Sequence, residues 1–391
     1  MDIRTPTSLQ HLCEHARAAG AIALDVEFIR EQTYVPQLAL VQVAFQDICA
    51  IIDPLEIADL EPLFALVSSP HVLKILHAAG QDMEVLFWYS QRPPTRVFDT
   101  QIAAGLVGMG EQLAYSRLVE NLLGVNLSKT ESYSDWLQRP LSPEQREYAL
   151  NDVRYLPALY DMLSAQLVAL GRESWAQEEF RKFENIALYQ RAPRQLFRRV
   201  RRAQSLSSQG LAILRELADW RDQEARRRNR PPGSILRDEI LVELARKAPE
   251  TLSDLHRLRG LPTREIERSG TILVDLVRCG LTVADDERPK TTRRKRLTHT
   301  EELMVKLLDA YLKALCYRHK LPASGLASRA DLEELVHAYR HGQLTSNRSP
   351  LLNGWRGTLI GDDVLALLEG RVSLHLNPAT GALESLPYDP L

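Results

Sequence analysis

Ala21-Ile22-Ala23-Leu24-Asp25-Val26-Glu27-Phe28 decides the reading of this chain. The stretch is short and apolar apart from two acids, the pattern of a buried β-strand. Side chains alternate across a strand, so Asp25 and Glu27 point to one face. Two carboxylates on one side of an apolar strand repel each other and lose hydration. A divalent cation turns that cost into a binding site. An edge strand carrying two unrelated acids would read the same way, so the pair alone is a weak signal.

Working outward, a helical stretch begins near Ser8, and strands are expected at Leu38 to Phe45 and Ile48 to Ile52, with a turn at Asp53-Pro54. Val72 to His77 reads as a strand, Gln81 to Tyr89 as a helix and Val97 to Thr100 as a strand end. Helical pattern continues to about Leu170. Strands first, then strands mixed with helices, predict an α/β domain with a mixed sheet. Two further acids stand out. Asp82 follows His77-Ala78-Ala79-Gly80-Gln81 in the first turn of a helix, where negative charge is favoured. Tyr148 and Asp152, at i and i+4, share a helical face. Each alone has a bland explanation: a helix-start acid and a surface neighbour pair.

A chain of 391 residues suggests two or three domains. Its 45% hydrophobic and 26% charged residues fit folded, water-soluble protein and exclude a disordered one. A net charge of −2 does not announce a nucleic-acid binder, so local basic runs matter more than the sum. The runs are Arg226, Arg227, Arg228 and Arg230, and then Arg293, Arg294, Lys295 and Arg296. Phosphate contacts by such side chains would hold RNA without choosing sequence. The four cysteines form no C-x-x-C pair, which argues against a cysteine zinc site or a disulfide framework and suits a reducing cytoplasm. The N-terminus lacks the apolar core of a signal peptide, and no apolar run approaches the ~18–20 residues of a membrane span. A cytoplasmic protein with no membrane association and no obligate protein partner is expected.

The expected domains are 1–200, an α/β unit; 206–285, all-helical, with a loop at Pro231 to Ser234 whose serine caps the next helix; 298–371, a second helical unit; and 372–391, an extended tail containing Pro378, Gly381, Pro387 and Pro390. Trp220 and Trp355 are expected to pack helices.

The order of motifs carries more weight than any one of them. A D-x-E strand, then H-x-x-x-x-D, then Y-x-x-x-D resembles the tyrosine branch of the DEDD superfamily of 3′→5′ exonucleases. LALVQVA at 38–44, FDTQIA at 98–103, Ser134-Asp135-Trp136-Leu137 and Leu141-Ser142-Pro143-Glu144-Gln145 also fit. Leu214 to Arg221, Asn229 to Pro232, Ile235 to Ala245 and Leu255 to Leu261 resemble an HRDC domain. With LLNGWRGTLI at 351–360, the layout is similar to the bacterial ribonuclease D family. The resemblance implies an RNase H-like exonuclease domain with a mixed sheet, followed by two all-α HRDC-type helical domains. It implies two Mg²⁺ or Mn²⁺ ions held by Asp25, Glu27, Asp82 and Asp152, and Tyr148 beside the attacking water. Free tyrosine has a pKa of about 10, so orientation of water precedes proton acceptance among its roles. Val26, Phe28, Gln42 and His77 are candidates to line the pocket for the terminal nucleotide. The implied reaction trims structured RNA from its 3′ end, transfer-RNA precursors above all. A DNA-directed exonuclease and an inactive RNA-binding protein remain as alternatives; no Walker A motif is present to suggest a helicase.

Overall fold

The structure, a computed structural model, describes residues 1–127, 134–190, 192–290, 297–345 and 349–388. Six strands form one mixed sheet: β1 (Asp2–Ile3), β2 (Ala21–Ile29), β3 (Gln37–Phe45), β4 (Ile48–Ile52), β5 (Leu73–Leu76) and β6 (Val97–Asp99). Their order is β1-β4-β3-β2-β5-β6. β3 and β4 pair antiparallel, while β1 runs with β4, and β5 with both β2 and β6. β2 is therefore interior, which removes the edge-strand explanation of Asp25 and Glu27.

Helices α1 (Pro6–Ala19), α2 (Glu61–Val67), α3 (Gly80–Ser90), α4 (Thr100–Leu106), α5 (Tyr115–Leu123), α6 (Pro143–Arg154), α7 (Leu156–Ala169) and α8 (Glu173–Arg181) accompany the sheet. Then come α9 (Ser208–Arg228), α10 (Pro232–Ile235), α11 (Asp238–Lys247), α12 (Leu252–His256) and α13 (Thr263–Leu281). The last group is α14 (His299–His319), α15 (Ala323–Leu326), α16 (Arg329–Arg340), α17 (Gly354–Arg356) and α18 (Asp362–Leu368). No helix among the described residues is long and apolar enough to cross a membrane.

The chain divides into two compact units. The first gathers 1–26, 40–185 and 296–391, so the helices expected to stand alone at 298–371 join the nuclease sheet in one unit. A single apolar cluster runs from Ala23, Ile75 and Phe98 through Leu159 and Phe180 to Leu308, Tyr311, Leu335 and Trp355. The physical reason lies in Gly354-Trp355-Arg356. Trp355 stacks on Trp175 with ring centroids 5.0 Å apart, and its Nε1 donates to Glu179 Oε1 at 2.8 Å. Arg356 donates to the same oxygen at 2.6 Å, and the Trp355 backbone N–H to Glu178 Oε2 at 3.0 Å. Gly354 has φ 55°, a left-handed conformation that favours glycine, and a Cβ there would press on the Glu178 carboxylate, which would have to move. Arg172 ties the same regions together by donating to the carbonyls of Leu106 at 2.6 Å and His319 at 2.7 Å.

Where an extended tail is expected at 372–391, residues 372–387 form a β-hairpin instead. β7 (Val372–Leu376) pairs antiparallel with β8 (Leu383–Pro387). Asn377 makes the turn, its side-chain oxygen accepting from the N–H groups of Ala379 and Thr380 and its carbonyl from Gly381.

The second unit comprises 27–39 and 186–295. α9 and α13 cross closely: a Cβ on Gly280 would lie 2.4 Å from Ile213 Cα. Leu214, Leu217, Leu241, Leu255, Leu273 and Val277 fill the core. Ser234 does not cap a following helix; it lies inside α10 and its hydroxyl donates to the Pro231 carbonyl. The β2–β3 connection is anchored within this unit. Tyr34 donates its hydroxyl to Asp222 Oδ1 at 2.8 Å, and Arg226 Nε donates to the Tyr34 oxygen at 2.8 Å.

Candidate active site

β2 presents Asp25 and Glu27, and α6 presents Asp152. Carboxylate oxygens of the three lie within 4.8 Å of one another. α6 is positioned by a capping box. Ser142 Oγ accepts from the Gln145 N–H at 3.1 Å, and Gln145 Oε1 accepts from the Ser142 N–H at 2.9 Å. Pro143 supplies the first helical residue. Tyr148 lies one turn before Asp152 on this helix, half-buried. Burial pushes the Asp25 carboxyl up to about 7, against a lowering hydrogen bond from the Val26 backbone. Three hard oxygen donors, one penalised for being charged, suit a divalent cation. Tyr115 also belongs here, though nothing singled it out in the sequence. Its hydroxyl donates to the Asn151 carbonyl at 2.8 Å, and burial together with the Asp152 charge pushes its pKa up. It stays a proton donor beside the acids.

Asp82 is not in the group of three. It is buried in the first turn of α3, where a fourth carboxylate at equally short range would add like-charge repulsion. Its helix start is built by Asp99. Asp99 Oδ1 accepts from the N–H groups of Gln101 at 2.8 Å, Ile102 at 3.2 Å and Ala78 at 3.2 Å, and Oδ2 from Ala79 at 2.9 Å. One buried carboxylate thus caps α4 and holds the turn before α3. Ala78 in that turn has φ 57°, a left-handed conformation that costs a non-glycine residue about 1 kcal/mol. Such local strain persists where the surroundings over-determine it.

Tyr148 has its own support. Its ring lies 5.9 Å from that of buried Trp136. Arg139 donates to the Trp136 carbonyl at 2.8 Å and bidentately to Asp53 at 2.6 and 2.8 Å. Asp53 and Arg139 were missed by reading the sequence, where Asp53-Pro54 signalled only a turn.

The four expected pocket residues fare differently. Val26 is buried and alternates to the face opposite Asp25 and Glu27, so its side chain does not line their site. Gln42 is fully buried, and neither side-chain nitrogen nor oxygen meets a hydrogen-bond partner among the described residues. A closed position of that kind offers no surface to a nucleotide. His77 is committed to the protein: Nε2 donates to the Leu113 carbonyl at 2.9 Å, and Nδ1 lies 2.9 Å from Thr100 Oγ1. Burial lowers its pKa. Phe28 is half-buried beneath the Arg30 guanidinium, 5.3 Å above its ring.

The first basic run is not a bare cationic patch. Arg226 pairs with Asp222, Arg227 with Glu224, and Arg228 with Glu224 and Glu265. Helical spacing brings Asp222 and Glu224 alongside, and α13 supplies Glu265. Arg230 is exposed and lines a concavity with Arg228, Arg264 and Arg268. Arg293, Arg294, Lys295 and Arg296 lie outside the described residues.

Residues 2–168 match the model of a 3′-5′ exonuclease family, and residues 210–277 that of the HRDC domain. Ribonuclease D of Gluconacetobacter diazotrophicus is 36% identical over 377 residues, 96% of this chain and 94% of that protein. Ribonuclease D of Jannaschia sp. is 36% identical over 95% of this chain and 96% of its own length. The crystal structure of Escherichia coli RNase D, described as an exoribonuclease involved in structured RNA processing, superposes with a TM-score of 0.84 at 35% identity. The superposition covers 95% of this chain and 98% of that one.

Proposed function

The chain belongs to the ribonuclease D family, and on that premise we propose that it trims the 3′ ends of transfer-RNA precursors and other structured RNAs in the cytoplasm. It is a metal-dependent 3′→5′ exoribonuclease. The observation that carries the finer reading is the convergence of Asp25, Glu27 and Asp152 with Tyr148 one turn away.

Asp25, Glu27 and Asp152 hold divalent cations in this reading, and Asp82 completes the set from the start of α3. The donor chemistry favours two ions of Mg²⁺ or Mn²⁺. When bound, such ions supply an activated water and neutralise charge on the leaving 3′-oxygen. Tyr148 orients that water by hydrogen bonding, while Trp136 steadies the phenol ring. Asp99 sets where Asp82 stands. Hydrolysis then releases 5′-mononucleotides one at a time. Residues 1–200 form the catalytic domain, 206–285 the HRDC domain and 298–371 an HRDC-like region; the exposed arginines around Arg230 hold phosphates of the RNA body.

The test is a time course on a 5′-labelled transfer-RNA precursor with a short 3′ extension, beside single-stranded DNA, with Mg²⁺, Mn²⁺ or chelator. A metal-dependent ladder shortening from the 3′ end on RNA, lost in Asp25→Asn, is expected. Preference for DNA, or full activity in Asp25→Asn, would overturn the reading.

A further inference from the structure

Outside the nuclease site, one other group of side chains among the described residues brings three potential metal donors together: Glu301 on α14, His337 on α16 and His341 capping the end of α16. Glu301 Oε1 lies 3.2 Å from His337 Nδ1 and 3.8 Å from His341 Nε2. The edge of a tetrahedron with metal–ligand arms of about 2.0–2.1 Å is about 3.3 Å, close to both spacings. The two histidines, at i and i+4, share one helical face, and their ring centroids are 4.2 Å apart at 54°.

The carboxylate is held in place from behind. Glu301 Oε2 accepts from the Thr298 N–H at 2.8 Å and from its hydroxyl at 2.9 Å, which turns Oε1 toward the imidazoles. Supporting hydrogen bonds of this kind orient metal ligands. A hydrogen bond from one ring accounts for one pair only, whereas a cation among the three donor atoms, which lie within 4.8 Å of one another, would engage all of them at once. Glu301 is buried, whereas the His341 side chain is 52% exposed, so the solvent side has room for a water as fourth ligand.

We infer that Glu301, His337 and His341 form a second metal site, one that takes a borderline transition cation such as Zn²⁺. Two imidazole nitrogens and one oxygen select such an ion over Mg²⁺, whereas the all-oxygen nuclease cluster selects the reverse. Bound there, the ion ties the start of α14 to the end of α16.

The test uses the full chain, stripped with chelator and dialysed into excess Mg²⁺ to occupy the nuclease carboxylates, then titrated with ZnCl₂ and with CoCl₂. One tightly held equivalent of zinc is expected, with the intense visible absorption of four-coordinate Co²⁺. Affinity should fall at least about tenfold in H341A and in H341Q. It should be unchanged in D25N, and Mg²⁺-dependent nuclease turnover should be unchanged in both His341 variants. No retained zinc, affinity unaffected by the His341 substitutions, or loss of the zinc in D25N would each overturn the inference. If H341A alone is misfolded by circular dichroism, H341Q and the wild-type Co²⁺ spectrum decide.

Discussion

Asp99→Ala removes a carboxylate that receives four backbone N–H groups. Two of them start α4, and losing such a cap costs about 1 kcal/mol. Ala79 is wholly buried, so its N–H is left without any acceptor, at about 1–3 kcal/mol. Ala78 is exposed, and water replaces its lost bond. The expected loss is therefore roughly 2–4 kcal/mol. Asp99→Asn can keep the three bonds to Oδ1 and sacrifice only the one to Ala79, so its loss should be about 1 kcal/mol smaller. Urea unfolding followed by near-ultraviolet circular dichroism measures both. The turn also sets the position of Asp82, and a displacement of about 1 Å at a reacting centre can cost on the order of 100-fold. Steady-state cleavage of a labelled RNA should show kcat falling by about that factor in Asp99→Ala. A urea midpoint within error of wild type, or full turnover in a destabilised Asp99→Ala, would refute the reasoning.

Tyr148→Phe keeps the ring against Trp136 and removes the hydroxyl; kcat should drop about 100-fold or more while Mn²⁺ affinity is retained, and undiminished turnover would remove Tyr148 from the mechanism. Trp355→Ala deletes half of a buried stack and the hydrogen bond to Glu179, so about 3–5 kcal/mol should be lost from the first unit, read by thermal unfolding. Glu224 is held down to about 2, chiefly by the Arg227 hydrogen bond and then by Arg228. A lowered folded-state pKa stabilises above the ordinary value near 4.5 and loses that effect as pH falls toward 2. The stability gap between wild type and Glu224→Gln should accordingly shrink between pH 6 and pH 3; a constant gap would contradict the pairing.

Most of the nuclease sheet was legible because its strands are apolar runs bounded by turn residues. β2 was expected at 21–28 and occupies 21–29, and β4 falls at 48–52 as expected. Asp25, Glu27 and Asp152 could be brought together from strand alternation, helical spacing and motif order. What no local pattern revealed were pairings between residues far apart in sequence. Arg139 reaches Asp53, and Asp99 reaches back to Ala78 and Ala79; neither pairing leaves a local pattern. The ion pairs of Arg226 and Arg228 are local and legible: Asp222 and Glu224 stand four residues before them, the spacing of helical ion pairs. The short helices of 298–371 looked self-sufficient because the glycine that admits Glu178 is mute in sequence. It acquires meaning only when α8 is beside it.

That docking has a consequence for how the enzyme is born. A ribosome makes the sheet first and the Gly354-Trp355-Arg356 segment only near the end. While the nascent chain still ends before residue 355, Trp175 lacks its stacking partner. Apolar surface left bare in this way is what chaperones and proteases recognise. Cover of Trp175 therefore waits on the final stretch of synthesis, and a chain halted before that codon is left without the ring that stacks on it.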